Sequence, residues 1–406
     1  MLTFLPIFLI LLAGGVLSVL RPRIFLMPSI VLMLAWPSGG SMTASWRWMG
    51  ILGQDGFYAG ILLGILITLM VAKPSSILRS FPMKSLLILL ALLLLFVVHK
   101  ADYRLFRHYL LDLRVVFLPI QILFLVQLLR IHFPDIRERA RALEIAIVMN
   151  GLIDFAMMLW RLQTGEESGV MPRYRDGSTI LAALYLTYLW RIGGKNNRLW
   201  PVIMALVSLI VSGSRVFLIL VGIWKLVQMI HHATRDRRFA FGVVLFPLLL
   251  VLVGWAWASM EKARSFEWSV LSEQAGFRYF PLLLKWGGMS NADKLIGEGT
   301  GAYFYIPWFE YWGLNPFNPT MDFNYGTMAV KYGLILGPLV LGLLIWCIEK
   351  AGIRLRGTHV WLAFLGISQV IPWHPQFNSL LIFGALGGVT LAGQNPKRLV
   401  HGGEPS

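Results

Sequence analysis

Residues 258–325 read ASMEKARSFEWSVLSEQAGFRYFPLLLKWGGMSNADKLIGEGTGAYFYIPWFEYWGLNPFNPTMDFNY. No apolar run within this stretch is long enough to span a bilayer, and apolar runs flank it on both sides. It holds Glu273, Arg278, Glu298 and Asp322, many aromatic residues, and the run Gly297-Glu298-Gly299-Thr300-Gly301. A chain that builds apolar helices and then carries one elaborate polar insert places its chemistry there, because scaffolds position loops and loops carry function.

Around the insert the chain is strongly apolar. Of 406 residues, 57% are hydrophobic and 14% charged, against about 25% charged in soluble domains. The mean hydropathy is +0.68. Apolar runs fall near 2–20, 24–37, 56–72, 84–98, 114–129, 141–160, 178–190, 199–212, 215–230, 239–257, 326–349, 358–372 and 377–392. Runs of about 15 to 20 residues predict an all-α, polytopic integral membrane bundle of about 12 to 14 transmembrane helices with one large loop. The expected divisions are an N-terminal bundle over 1–257, the loop over 258–325, and C-terminal helices with a tail over 326–406. The single cysteine, Cys347, cannot form an intrachain disulfide and reads as a small apolar packing residue.

The net charge of +16 is a matter of topology. Lys and Arg cluster between alternate apolar runs, at Arg21/Arg23, Lys73/Arg79/Lys84, Arg130/Arg137/Arg139/Arg141, Arg191/Lys195/Arg198, Arg235/Arg237/Arg238, Lys350/Arg354/Arg356 and Lys397/Arg398. That face collects roughly twenty cations against about six acids, so the positive-inside rule puts it in the cytoplasm and the 258–325 insert outside. The first run lacks a basic segment before it and carries Arg21 and Arg23 after it, which predicts an uncleaved first helix with its N-terminus outside. No separate basic domain or nucleic-acid motif is present, so nucleic acid is not an expected partner.

The outer face still holds more arginine than orientation favours: Arg161, Arg173, Arg175, Arg215 and Arg278. Arg173 and Arg175 stand beside Asp176. Arg215 follows a Ser212-Gly213-Ser214 break between two short apolar runs. It either snorkels to headgroup phosphates or grips an anionic substrate, since a guanidinium fork matches phosphate oxygens. Arg278, in Phe277-Arg278-Tyr279, sits in an expected short amphipathic helix with Leu282, Leu283 and Trp286. The segment 99–114, HKADYRLFRHYLLDLR, has the spacing of an interfacial amphipathic helix that includes Asp112. Asp322 is read either as the N-cap of the next helix or as a general base. Lys331 is expected to face a hydrated cavity or to snorkel outward. Asp154 is a buried ionisable candidate, and His374 a turn residue between prolines. No strand precedes Gly297-x-Gly299-x-Gly301, so it reads as a tight turn that lets backbone approach a substrate. The outer loops show no histidine or cysteine pairs at ligand spacing, the insert has no histidine to support a Ser-His-Asp set, and Walker motifs are absent, so no metal and no cofactor is expected.

In order and spacing these stretches resemble the O-antigen ligase/polymerase family of bacterial envelope glycosyltransferases over roughly Leu199 to Leu341. Ser212–Arg215 matches an SGSR-like turn. Arg278 with Gly297, Gly299 and Gly301 matches a loop arginine before a glycine run. Asp322, Asn324 and Tyr325, with Tyr332-Gly333-Leu334, loosely match an H-N or D-N pair with an aromatic and the Y-G-L of the next helix; Phe323 is inserted between Asp322 and Asn324. The ligase branch resembles a pattern with a histidine in the large loop. This insert has none, which favours the polymerase branch.

The resemblance implies a GT-C-like bundle in the bacterial inner membrane, with its active site facing the periplasm and membrane lipids around it. It implies an undecaprenyl-diphosphate-linked oligosaccharide as substrate, with a flippase and a chain-length regulator as partners. Arg215 and Arg278 would then hold the diphosphate and stabilise it as leaving group. Asp322, or Glu273 in second place, would take the proton of the acceptor hydroxyl. Arg173, Arg175, Asn324, Tyr325, Gly299, Gly301 and Tyr279 would bind substrate, and aromatics such as Trp286, Tyr303, Tyr305, Trp308 and Trp312 would stack on sugar faces. The energy resides in the sugar–diphosphate bond, so ATP and metal are not required. Two other readings stay open: a ligase moving finished glycan to lipid A-core, and a lipid-linked glycan transporter without chemistry. A transporter would favour inverted repeats and discontinuous helices.

Overall fold

The computed structural model describes residues 5–35, 44–71, 112, 123–164, 177–188, 199–211, 221–222, 225–226, 268–307, 310, 316–318, 321, 324–350 and 386. The chain forms two compact units that interleave in sequence. The first comprises Met1–Leu66, Leu128–Ser265 and Ser379–Ser406; the second comprises Ile67–Gln127 and Phe266–Asn378. The 258–325 insert therefore falls largely in one unit with the helix that follows it.

The first unit is helical where described. It contains α1 (Leu5–Leu20), α2 (Pro22–Ala35), most of α3 (Ala44–Val71), α4 (Ile136–Thr164), α5 (Gly177–Tyr188) and α6 (Leu199–Val211). Helix α2 packs on α1 and α4, and α6 packs on α4 and α5. The core includes Leu26, Ile30, Met33, Leu143, Ala146, Ala182, Leu186, Ala205 and Leu209. Their recurrence at three- and four-residue steps is what places them on one face of each helix. Gly15 on α1 and Gly60 on α3 let two helix backbones touch, because a Cβ on either would overlap a carbonyl of the other helix. Asp154 is buried on α4. Lys225 is also fully buried, and donates to the Thr187 carbonyl at 3.4 Å.

The second unit contains α7 (Trp268–Gly288), α8 (Asn291–Ile296), a two-stranded antiparallel hairpin of β1 (Phe304–Tyr305) and β2 (Phe317–Asn318), and α9 (Asn324–Lys350). Phe304 pairs with Asn318 and Tyr305 with Phe317. The described part of the insert is thus folded, and the hairpin is an element that the all-α expectation did not contain. Met289, Phe304, Ile306, Met321 and Val330 form its core, with Leu282 and Trp286 packed against it. Trp286, expected as a sugar-stacking ring, is therefore part of the packing. Helix α8 starts at a true cap: Ser290 Oγ accepts from the Asp293 N–H at 3.1 Å and donates to Asp293 Oδ2 at 2.7 Å.

Among the described residues, no helix is long and apolar enough to cross a membrane. The apolar runs at 84–98, 239–257 and 358–372 lie outside the described residues.

Candidate functional site

Helix α9 is broken nine residues from its start. Gly333 has φ 69° and ψ −176°, a conformation outside the helical region. Such a break frees carbonyls one turn upstream, and buried carbonyls need partners. The glycine run supplies them. The Glu298 N–H donates to the Val330 carbonyl at 2.9 Å, and the Gly299 N–H to the Lys331 carbonyl at 2.9 Å. Gly297, Gly299 and Gly301 all have positive φ, at 87°, 101° and 93°, which only glycine adopts without strain. A Cβ on Gly297 would overlap the Lys331 carbonyl, and one on Gly333 would overlap the Leu295 carbonyl. The loop and the break in α9 are therefore cut to fit each other.

Beneath that junction lies a buried ion pair. The Lys331 ammonium donates to both carboxylate oxygens of Asp112, at 2.7 Å to Oδ1 and 2.6 Å to Oδ2. Both side chains are 0% exposed. The Gly301 N–H donates to the same Oδ2 at 2.6 Å. One carboxylate thus joins residue 112, the glycine run and α9. Removing both charges from water is costly, and bidentate, fully hydrogen-bonded geometry is what offsets that cost. Lys331, expected to snorkel or face a hydrated cavity, instead points into protein because Asp112 receives it there. Asp112, expected on an interfacial helix, is its counter-ion.

A second, half-exposed charge pair sits nearby. Lys285 on α7 and Glu298 in the glycine run are 2.7 Å apart, each side chain 26% exposed. Below Met321, the fully buried Thr327 hydroxyl accepts from the Met321 N–H at 3.0 Å and donates to its carbonyl at 3.4 Å, tying the loop's end to α9.

The expected site residues divide into three sets. Arg173, Arg175, Arg215 and Asp322 lie outside the described residues, as do Trp308, Trp312 and His374. Glu273 and Arg278 lie on α7; their side chains are not described. Tyr279 is exposed on α7. Asn324 opens α9 and Tyr325 follows it half-buried; burial raises the Tyr325 phenol above its ordinary value, so it is a neutral hydrogen-bonding group near pH 7. Gly299 and Gly301 do bring backbone into close approach, but their N–H groups are donated to Lys331 and Asp112. Among the described residues, no group of three His, Cys, Asp or Glu side chains is arranged to hold a metal ion.

The fold so defined is mostly helical, with a late polar loop locked onto a broken helix. The model of a family of unknown function, DUF6369, matches residues 166–383, more than half of the chain, and the protein belongs to that family. The matched range includes the whole loop, Lys331 and every residue expected to act on or bind substrate, while Asp112 and the candidate Asp154 lie upstream of it. No curated protein and no solved structure matches the chain.

Proposed function

We propose that the protein is a polytopic membrane glycosyltransferase of the bacterial inner membrane. In this reading it polymerises oligosaccharide repeat units carried on undecaprenyl diphosphate, at the periplasmic face. The observation that carries the reading is the contact between two stretches on which the resemblance rests. The glycine run and Tyr332-Gly333-Leu334 are about thirty residues apart in sequence, yet Gly297 meets Gly333 and Gly299 bonds to Lys331. Their meeting in space supports reading them as parts of one device. The exposed apolar residues also suit a lipid setting: Leu334, Ile335 and Leu339 on α9, and Tyr279, Phe280, Leu283 and Leu284 on α7.

In the mechanism we propose, Arg215 and Arg278 hold the donor's diphosphate and stabilise its charge as it leaves. Asp322, with Glu273 as second choice, accepts the proton of the acceptor hydroxyl while that oxygen bonds to the anomeric carbon. Arg173, Arg175, Asn324, Tyr325 and Tyr279 contribute to substrate binding. Gly299 and Gly301 act by fixing the loop on α9. The reaction draws on the sugar–diphosphate bond and needs no cofactor; a flippase would supply the units, and a chain-length regulator would set their number.

The test is the envelope glycan of a deletion strain. Single-repeat glycans on the lipid are expected, and Arg215→Lys or Arg278→Lys should fail to restore long chains while the protein accumulates normally. Full-length polymer in the deletion strain would overturn the reading, and a bare core with finished polymer still on the carrier would assign a ligase. The transporter reading draws on the break in α9, since discontinuous helices form transport sites. Its signature would be repeat units retained at the cytoplasmic face.

A further inference from the structure

Beside the hairpin runs a row of side chains that the proposed transfer step does not use; it takes in Tyr303 and Tyr305, two of the rings the resemblance implies for sugar stacking, and joins them to groups that the resemblance does not name. Glu298 pairs with Lys285 at 2.7 Å, and the Lys285 ammonium lies 5.4 Å from the centre of the Tyr303 ring. Tyr303 meets Phe317 edge to face at 5.2 Å between centroids, and Phe317 meets Tyr305 at 5.7 Å. The Tyr305 hydroxyl donates to Glu310 Oε1 at 3.1 Å. The row therefore runs from one carboxylate to another across three contacting rings. Tyr305 and Phe317 are 36% and 39% exposed, although the hairpin has a fully buried position at Phe304 beside them.

We propose that this row is a saccharide-binding platform, in which one pyranose stacks on Tyr305 and Phe317 and donates a hydroxyl to Glu310, while a linked sugar farther along the row, beside Tyr303, donates to Glu298. The argument is complementarity. The faces of aromatic rings are electronegative, and the C–H face of a pyranose is the matching positive surface. Hydroxyl donors to a carboxylate form charge-assisted hydrogen bonds, stronger than neutral ones. The rings brace one another, and Lys285 and Tyr305 hold the two carboxylates, so little side-chain entropy remains to be lost on binding. At the Tyr305 end a phosphate would meet the Glu310 carboxylate with no cation described beside it, whereas a neutral sugar hydroxyl can donate to it. The proposal rests on the polymerase reading for its choice of sugar and names the subsite of one repeat unit within it.

The experiment is saturation-transfer NMR on the full-length protein, in a detergent without a sugar headgroup. The probes are the methyl β-pyranosides of glucose, galactose and N-acetylglucosamine. Transfer to the ring protons of at least one is expected. Phe317→Ala and Tyr305→Ala should each weaken its binding about fivefold or more, Glu310→Gln less, and Phe317→Tyr should retain it. An unchanged thermal midpoint in Phe317→Tyr guards against simple misfolding. No transfer to any of the three, or transfer indifferent to Phe317→Ala, overturns the platform. So does protection of Phe317→Cys, in a Cys347→Ser background in liposomes, from an aqueous thiol reagent that reacts with it in detergent; that would assign the row to lipid. Pyranoside binding through these rings in a protein whose deletion leaves polymer intact would remove the polymerase reading and keep the platform. Single-repeat glycans together with binding indifferent to Phe317→Ala would do the reverse.

Discussion

Gly15 and Gly60 in the first unit, and Gly297 and Gly333 in the second, each bring backbone against backbone, but they do so by different means. Gly15 and Gly60 keep ordinary helical conformation, and only the space for a Cβ is missing. Gly297 and Gly333 lack the space and also hold positive φ. Two carbonyls released by the break are bonded across the second junction, and a buried ion pair lies under it. The first contact is one of shape, and packed helices can slide by fractions of an ångström to relieve a clash. The second combines shape, conformation, hydrogen bonds and charge, so it has no neighbouring arrangement to relax into. A loop fixed in this way can hold a reactive group in place, which a contact of shape alone does less well.

The comparison breaks most sharply at the ion pair, which the α1–α3 contact lacks among its described residues. Asp112→Asn leaves a buried ammonium without its counter-charge, and Lys331→Met leaves a buried carboxylate. Each should cost about 3–5 kcal/mol, read as a fall in the unfolding midpoint in detergent. The double variant Asp112→Asn/Lys331→Met should recover most of that loss, because Asn still offers an oxygen to the Gly301 N–H. Losses that simply add would show that the two charges do not depend on each other.

At the glycines the expected effects are smaller and unequal. Gly333→Ala forces an alanine into φ 69° and drives its Cβ into the Leu295 carbonyl, for about 3 kcal/mol. Gly60→Ala meets an equally close carbonyl, but gains up to about 1 kcal/mol of helix propensity and can move α1 away, for a net loss of about 1–2 kcal/mol. Equal losses in thermal unfolding would mean that both junctions are held by shape alone. Thr327→Val comes next, at about 2 kcal/mol, since it leaves the Met321 N–H without its buried acceptor. Thr327→Ser should behave like wild type.

Sequence made some of this legible. The apolar runs near 2–20, 24–37 and 199–212 overlie α1, α2 and α6, and Phe277 to Trp286 mark a helix in the insert that the structure extends to 21 residues. The hairpin did not read, because strands of two residues are too short to alternate. The ion pair did not read because its partners are 219 residues apart and each had a local explanation. Asp112 fitted an amphipathic pattern, and Lys331 could snorkel. One signal pointed further: a lysine two turns inside an apolar helix requires a partner, and that requirement could have been set against each acid in an apolar setting. Gly333 was legible as part of a motif, whereas its role as a break was not, since a glycine inside a helical pattern is tolerated as often as it is disruptive.

The smallest expected effect concerns how the glycine run is delivered to α9. Helix α8 has six residues, too few to be stable alone, and its last turn leads directly into Gly297, whose N–H returns to the Asp293 carbonyl at 2.7 Å. Its start is fixed by Ser290, which caps the Asp293 N–H. Ser290→Ala should therefore cost about 1 kcal/mol, and Ser290→Asp less, despite Asp293 nearby, because an aspartate can accept the same N–H. The discriminating readout is hydrogen exchange, not global stability. If α8 serves to present the glycine run, Ser290→Ala should speed exchange at Glu298 and Gly299, whose N–H groups bond to α9, more than at residues of α7. If exchange at those two amides does not change, the glycine run is held from the α9 side alone, by the break at Gly333 and the Asp112–Lys331 pair.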